Sequence, residues 1–290
     1  MQIQQSYKDL SRGCLYLVPT PIGNLADMTY RAVKILKEVD YILAEDTRQT
    51  IKLLQYYDIE KPLKSFHDHS SEDRVAAICQ EVGQGKRLAL VSDAGMPLIN
   101  DPGHPLVQAL LADDLPVIAL PGPNAALTGL VASGLEAASF TYWGFFPRHQ
   151  SDQVRVLEAV GQAQATAIFY ESPYRVKDLV KQVGQVLGPQ TKMVIARELS
   201  KLYESFLRGT QTELATYLDQ ESLKGEIVVL IQGGHLANQV SDQVLLPYKE
   251  QVEMLMAQEG LLAKDAIKKV AKQRQVKKQD VYNAYHQIED

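Results

Sequence analysis

The chain has 290 residues, 46% of them hydrophobic, and a net charge of -5. Such a chain is long and apolar enough for about two well-buried domains, and its acidic balance lacks the whole-protein basic field usual in nucleic-acid binding, so no DNA partner is expected. Two cysteines, Cys14 and Cys79, supply neither a disulfide framework nor a zinc spacing; with no signal-like leader and no apolar run near membrane length, a cytoplasmic protein free of the membrane is expected.

The first element is "CLYLVP", a short apolar run ending at Pro19, which predicts a buried strand. "MTYRAVKILKEVD" places Ala32, Val33, Ile35, Leu36 and Val39 at helical spacing. Strand "YILAED", helix "RQTIKLLQYYDI" and helix "SEDRVAAICQEVGQG" follow, then strand "RLALVSDAG" and a helix over Pro105–Ala112. "LPVIALPGPNAALTGLVASGL" reads as strand, tight turn and a helix of small residues. This alternation predicts a mostly parallel α/β sheet. At "FTYWGFFPRHQSDQ" aromatics cluster and the pattern changes. The aromatics are read as an inter-domain or dimer contact, with base stacking as the alternative.

A second set follows: helix Val154–Val160, strand Thr166–Tyr170, helix Tyr174–Leu187, strand Lys192–Arg197, helix Glu213–Leu218 and strand "EIVVLIQGG". Three short helices end the chain. The predicted organisation is an N-terminal tail (1–12), a first α/β domain (13–138), a second (139–236), a linker (237–246) and a helical, helix-turn-helix-like module (247–290).

Three loops stand out because each follows a strand and is crowded with glycine and proline: "VPTPIGNL", "SDAGMPLINDPG" and "LPGPNAAL". Open α/β sheets place ligands at the carboxyl ends of their strands. Glycine lets a ligand approach the backbone and proline fixes the path of the loop. Neither standard phosphate motif is present: "GQGK" precedes a strand, with no serine or threonine after its lysine, and no G-x-G-x-x-G follows a strand. Backbone amides, proline walls and the Asp93 carboxylate suit a small zwitterion with a positive centre.

The segments "LYLVPTPIGNLADMTYRA", "AEDTRQTIKLL", "VSDAGMPLINDPG", "ALPGPNAALTGL", "GFFPR", "FYESPYR" and "ARELSKLYESFLRGT" closely resemble the tetrapyrrole-methylase-like superfamily of class III methyltransferases. Within it they resemble the ribosomal RNA small-subunit methyltransferase I subfamily. The resemblance covers nearly the whole chain. It implies an S-adenosylmethionine-dependent enzyme that methylates the ribose 2′-hydroxyl of a cytidine in 16S ribosomal RNA of the small ribosomal subunit, near the decoding centre. It also implies two α/β domains with the cofactor in the cleft between them, and a homodimer. "EDTR" looks like the RNA-methylating branch rather than the tetrapyrrole or diphthamide branches. No metal is expected; "HDH" (His67, His69) offers no third ligand and reads as a polar loop.

On this reading Asp93 leads the cofactor contacts, a turn cap being the bland alternative. Gly95, Met96 and Pro97 would wrap the ligand, with Pro19 from the first loop. Pro121, Gly122, Pro123, Asn124 and Ala125 would form the facing wall, and Ala126 would begin the helix. Methyl transfer to a ribose hydroxyl also needs alignment and a positioned base. The candidates are Glu45, Asp46 and Arg48 after the second strand, Glu171 in "YESPYR", and Arg197. Glu45 or Glu171 would take the proton, and Arg48 or Arg197 would position the substrate. The competing reading of "DTR" is a helix cap with a surface ion pair. From Lys264 to Asp280, seven basic residues oppose two acidic ones, a local charge of +5. Lys268, Lys269, Lys272, Arg274, Lys277 and Lys278 are the RNA-contact candidates there, a solvated helical face being the alternative.

Overall fold

A computed structural model of the chain describes residues 1–6, 13–67, 71–234, 247–274 and 276–286. The chain divides into two compact units, Met1–Ala237 and Asn238–Asp290.

The first half of the larger unit is built on five short strands: β1 (Cys14–Leu17), β2 (Tyr41–Ala44), β3 (Leu63–Ser65), β4 (Arg87–Val91) and β5 (Val117–Ala119). They pair in the order β3-β2-β4-β1-β5, and every pairing is parallel. Four helices flank the sheet: α1 (Tyr30–Glu38), α2 (Thr47–Tyr56), α3 (Glu72–Gly83) and α4 (His104–Ala112). Strand alternation sorts the side chains between two faces. Tyr16, Ile42, Ala44, Ala89 and Val91 pack with Leu36 of α1 and Leu54 of α2. Leu15, Leu43, Leu88 and Leu90 pack with Ile78 and Val82 of α3 and with Leu106 and Leu110 of α4. Because both faces are covered, the central strands read as continuous apolar runs.

The second half carries β6 (Phe140–Phe145), β7 (Thr166–Glu171), β8 (Lys192–Arg197), β9 (Ser205–Thr210) and β10 (Ile227–Gln232), in the order β6-β7-β10-β8-β9. Here β6 runs parallel to β7, and the remaining pairs are antiparallel. One face is covered by α6 (Gln150–Gln162), α7 (Val176–Val186) and α8 (Gln211–Gln220), whose Leu157, Val180, Val183 and Leu214 pack against Phe169, Ile195 and Val229. A capping box, with Thr210 and Glu213 bonded reciprocally, starts α8.

The opposite face of this sheet is covered by α5 (Ala125–Ser133), a helix that belongs to the first half in sequence. Its Ala126 and Leu130 join Ile168, Val194, Ala196, Val228 and Leu230 in one core. Small residues permit the approach: Gly129 lies over Val228 and Leu230. Arg208 of β9 donates to the carbonyls of Ala132 and Ser133 at the end of the helix. The helix thus locks the two sheets into one unit.

The aromatic group at Phe140–Phe146 contains an edge strand: Trp143 stacks on Phe169, Phe145 meets Tyr170 edge-on, and Phe146 is buried against Phe169. β3 and β9 were not anticipated. The second unit contains α9 (Tyr248–Glu259), α10 (Ala263–Gln273) and α11 (Lys278–His286) around Val252, Leu255, Ile267, Val270 and Val281. The predicted linker over 237–246 and His69 lie outside the described residues.

Candidate active site

The three glycine- and proline-rich loops leave β1, β4 and β5 at the same end of the first sheet and brace one another. Thr20 and Gly95 exchange both backbone hydrogen bonds at 2.9 Å. The buried Thr20 hydroxyl donates to the Ser92 carbonyl at 3.0 Å. Gly95 has φ +85°, a conformation glycine adopts without steric cost. Gly122 of the third loop rests on Pro19 so closely that a Cβ there would stand 2.7 Å from the proline Cβ.

The second loop then runs through two non-glycine residues with left-handed backbones, Leu98 (φ +71°) and Asn100 (φ +66°). Such conformations persist where surrounding structure fixes them. Here the Tyr142 hydroxyl donates to Asn100 Oδ1 at 2.9 Å, and Gly144 leaves room for the asparagine. The third loop ends at Asn124, whose Oδ1 accepts from the Leu127 amide at 2.9 Å and caps α5. The Ala126 amide donates across to the Tyr170 hydroxyl at 3.2 Å.

These loops form one wall of a cleft of about 480 Å³, within the range of small-molecule and cofactor sites. The other wall comes from Tyr170–Pro173 at the end of β7 and Gly225–Val228 entering β10. Five carboxylates line it, from Glu45, Asp93, Asp101, Glu171 and Glu226, and among the described residues the lining contains no lysine, arginine or histidine. Ile22, Met96, Ile99, Phe145 and Leu199 supply apolar surface.

The candidates from the sequence separate into three groups. Glu45, Asp93, Gly95, Met96, Asn124, Ala125 and Glu171 meet at the cleft wall. Pro19, Pro97, Pro121, Gly122, Pro123 and Ala126 sit outside the lining; Pro19, Pro97 and Ala126 are buried behind it. The arginines fall elsewhere. Arg48 is exposed, and its Nε and Nη2 bind the Asp46 carboxylate at 3.0 and 2.8 Å. Asp46 also caps α2 by accepting from the Arg48 amide, and these bonds lower its pKa to about 2. The cap-and-ion-pair reading of "DTR" is therefore the geometry found, with one addition: the Asp46 amide donates to Asp93 Oδ1 at 3.1 Å. Arg197 is absent from the cleft lining. It pairs across β10 in register with Glu171, but its guanidinium turns toward β9, where it donates to Ser205 Oγ and the Tyr203 carbonyl.

Glu171 differs from the other acids. Its side chain is 1% exposed. Oε1 accepts from the Ser172 amide at 2.7 Å, while Oε2 has no hydrogen-bond partner. Arg175 approaches Oε2 at 3.5 Å but directs its hydrogen bonds to the Phe146 and Pro147 carbonyls. Burial pushes the Glu171 carboxyl above the usual glutamate range, partly offset by the Ser172 amide and Arg175.

On the opposite rim, Lys201 bridges Glu198 and Glu226 at 2.9 and 3.1 Å. It also lies across Gly23, and Ser200 bonds Asp27, so the β8–β9 loop clasps the first loop. Asn100, Tyr142, Tyr170 and Gly225–Val228 were missed as site residues; Asn100 carried a sequence signal, lying within "SDAGMPLINDPG", and so did Tyr170, standing beside Glu171 in "YESPYR".

In the second unit, Lys268, Lys272, Lys277 and Lys278 are exposed and Lys269 is half-buried. Arg274 is instead a structural tie: its Nε donates to Gln251 at 2.6 Å and its guanidinium lies 5.0 Å from the Tyr248 ring.

Two sheets joined through a shared helix, with glycine- and proline-rich loops facing a cleft, define the fold of a class of solved methylases. Diphthine synthase aligns with TM-score 0.61 and 13% identity, over 77% of this chain and 91% of that one. Uroporphyrin-III C-methyltransferase from Thermus thermophilus, solved with S-adenosyl homocysteine, aligns with TM-score 0.53 and 18% identity, over 75% and 97%. The sequence pattern described as Tetrapyrrole (Corrin/Porphyrin) Methylases matches residues 14–215. Over 291 residues the chain is 45% identical to ribosomal RNA small subunit methyltransferase I of Halalkalibacterium halodurans, covering 99% of this chain and 100% of that protein. It is 44% identical to the Bacillus subtilis protein of that name over 279 residues, 94% of each chain. The chain belongs to the tetrapyrrole methylase family and, within it, to the ribosomal RNA small subunit methyltransferase I group.

Proposed function

We propose that this chain transfers a methyl group from S-adenosylmethionine to the ribose 2′-hydroxyl of a cytidine in 16S ribosomal RNA of the small subunit, as a cytoplasmic homodimer. The observation that carries the substrate is the similarity, at 43–45% identity over nearly the full chain, to relatives named for small-subunit ribosomal RNA methylation. Among the described residues, no helix is long and apolar enough to cross a membrane.

The residues fit the cofactor. The cleft has the volume of a small-molecule site, its wall offers the backbone of Gly95 and Ala125, and its carboxylates suit a ligand with positive centres. Asp93, Gly95, Met96, Asn124 and Ala125 would hold it. When bound, S-adenosylmethionine supplies a methyl group already activated by the sulfonium charge. What remains for the protein is alignment, exclusion of water and removal of a proton.

Glu171 is assigned the proton. Glu171 lines the cleft, and its buried Oε2 lacks a hydrogen bond, so it has the capacity to accept one from a substrate hydroxyl. Its raised pKa brings it closer to neutrality, where a general base is most effective. Glu45 faces the same cleft from the first sheet and is assigned to orienting the acceptor ribose. The Asp46–Asp93 contact couples the loop bearing Glu45 to the cofactor loop.

Incubation with labelled cofactor and either protein-free 16S RNA or small subunits, followed by digestion to nucleosides, tests the reading. Label in 2′-O-methylcytidine supports it. Label in a base or in protein, or no transfer to either substrate, refutes it.

A further inference from the structure

The cleft raises an electrostatic problem. A lining of five carboxylates with no cationic side chain among the described residues offers an RNA backbone no attraction, although phosphate contacts usually supply most of the affinity for nucleic acid. The second unit carries the complementary feature. On α10, Ala266, Ile267, Val270 and Ala271 face the helical core, while Lys264, Lys268 and Lys272 are exposed. Residues at i, i+4 and i+8 lie along one side of a helix, with about 6 Å of rise between successive members. That step is comparable to the separation of neighbouring phosphates along a nucleic-acid strand.

The three lysines form no ion pair among the described residues. Their neighbours on the basic segment are engaged: Arg274 binds Gln251, and Lys269 has a partner. Exposed Lys277 and Lys278 continue the charge into the start of α11, where the helix dipole disfavours cations. A solvated surface has no need of lysines in that position.

We infer that Lys264, Lys268 and Lys272 form a phosphate-tracking stripe that docks this enzyme on the RNA of its substrate, read through the backbone rather than the bases. The inference rests on the proposed RNA substrate. It assigns the stripe to affinity alone, separate from cofactor binding and from the methyl-transfer step. It also adds Lys264 to the contact set and removes Arg274, which is held by Gln251.

The full-length variant K264Q/K268Q/K272Q tests this, with circular dichroism and affinity for S-adenosylmethionine as folding controls. Binding is measured from low to moderate salt, on protein-free 16S RNA and on small subunits. The stripe predicts that the slope of log affinity against log salt falls by about two to three on both. KM for RNA should rise about tenfold or more with kcat unchanged. An unchanged slope on protein-free RNA overturns the proposal, as does weakening confined to the assembled subunit, which would assign the stripe to a ribosomal protein. Because slopes on protein-free RNA are read without turnover, failure of methyl transfer by the wild type refutes the substrate assignment separately.

Discussion

Replacing Gly122 with alanine tests whether loop-on-loop packing shapes the cofactor wall. The new Cβ would stand 2.7 Å from Pro19 Cβ and 3.0 Å from its Cγ, whereas non-bonded carbons settle at about 3.5–4 Å. Roughly 1 Å must therefore be recovered, and the proline ring cannot rotate away. The first loop is pinned by the Thr20–Gly95 hydrogen bonds, so the third loop has to yield, carrying Asn124 and Ala125 with it. Overpacking of this kind costs about 1–3 kcal/mol, which corresponds to a Tm lower by about 2–10 °C. Affinity for S-adenosylmethionine should fall by about tenfold or more, since 1.4 kcal/mol is about a factor of ten. Isothermal titration measures it. Gly83→Ala is the control, because a Cβ there meets nothing within 4 Å. Unchanged cofactor affinity in Gly122→Ala would refute the reasoning.

Glu171→Gln should lower kcat by about 10²–10⁴-fold, or about 3–5 kcal/mol of barrier, and leave cofactor affinity intact. Wild-type kcat should rise with pH along a limb above the usual glutamate range, because burial raises this carboxyl, and that limb should vanish in the variant. The same shift gives a stability sign: ionising a buried carboxyl disfavours the folded state, so stability is lost as pH rises through its folded pKa. The glutamine variant should accordingly be at least as stable at neutral pH in denaturant titration. Asp46 has the opposite sign. Its carboxyl is lowered to about 2 by Arg48, so its contribution is present above the ordinary aspartate value of about 4 and is lost as pH falls toward 2. Asp46→Asn, which keeps a capping oxygen, should flatten the stability profile in that window; an unchanged profile would count against the Asp46–Arg48 pairing.

The first sheet was readable because its central strands are buried on both faces, leaving runs such as "LYLV" and "RLALV" bounded by glycine or proline. β3, with three residues, is too short for a pattern, and β9 lies at an edge, where half-buried side chains follow no strict alternation. Periodicity found the centre of α6 but not its first turn, which is polar. Function was legible where chemistry demands particular backbones, in the three loops of glycine and proline. It was less legible where tertiary partners decide. Arg48 and Arg197 look alike as strand-exit cations, yet one is held by Asp46 and the other by Ser205 and the Tyr203 carbonyl. Asn100 and Tyr142 belong to different halves of the chain, and their contact depends on how the sheets come together. Nor does sequence place α5 on the second sheet; only its small residues hint at a close approach.

The central claim is that the cleft between the two sheets holds the methyl donor, with the reacting centre near Glu171. A crystal structure of the chain with S-adenosylhomocysteine tests it most directly. Density seated against Asp93–Met96 and Asn124–Ala125 on one side, and against Tyr170–Pro173 on the other, is the predicted result. The same product bound outside this cleft would contradict it.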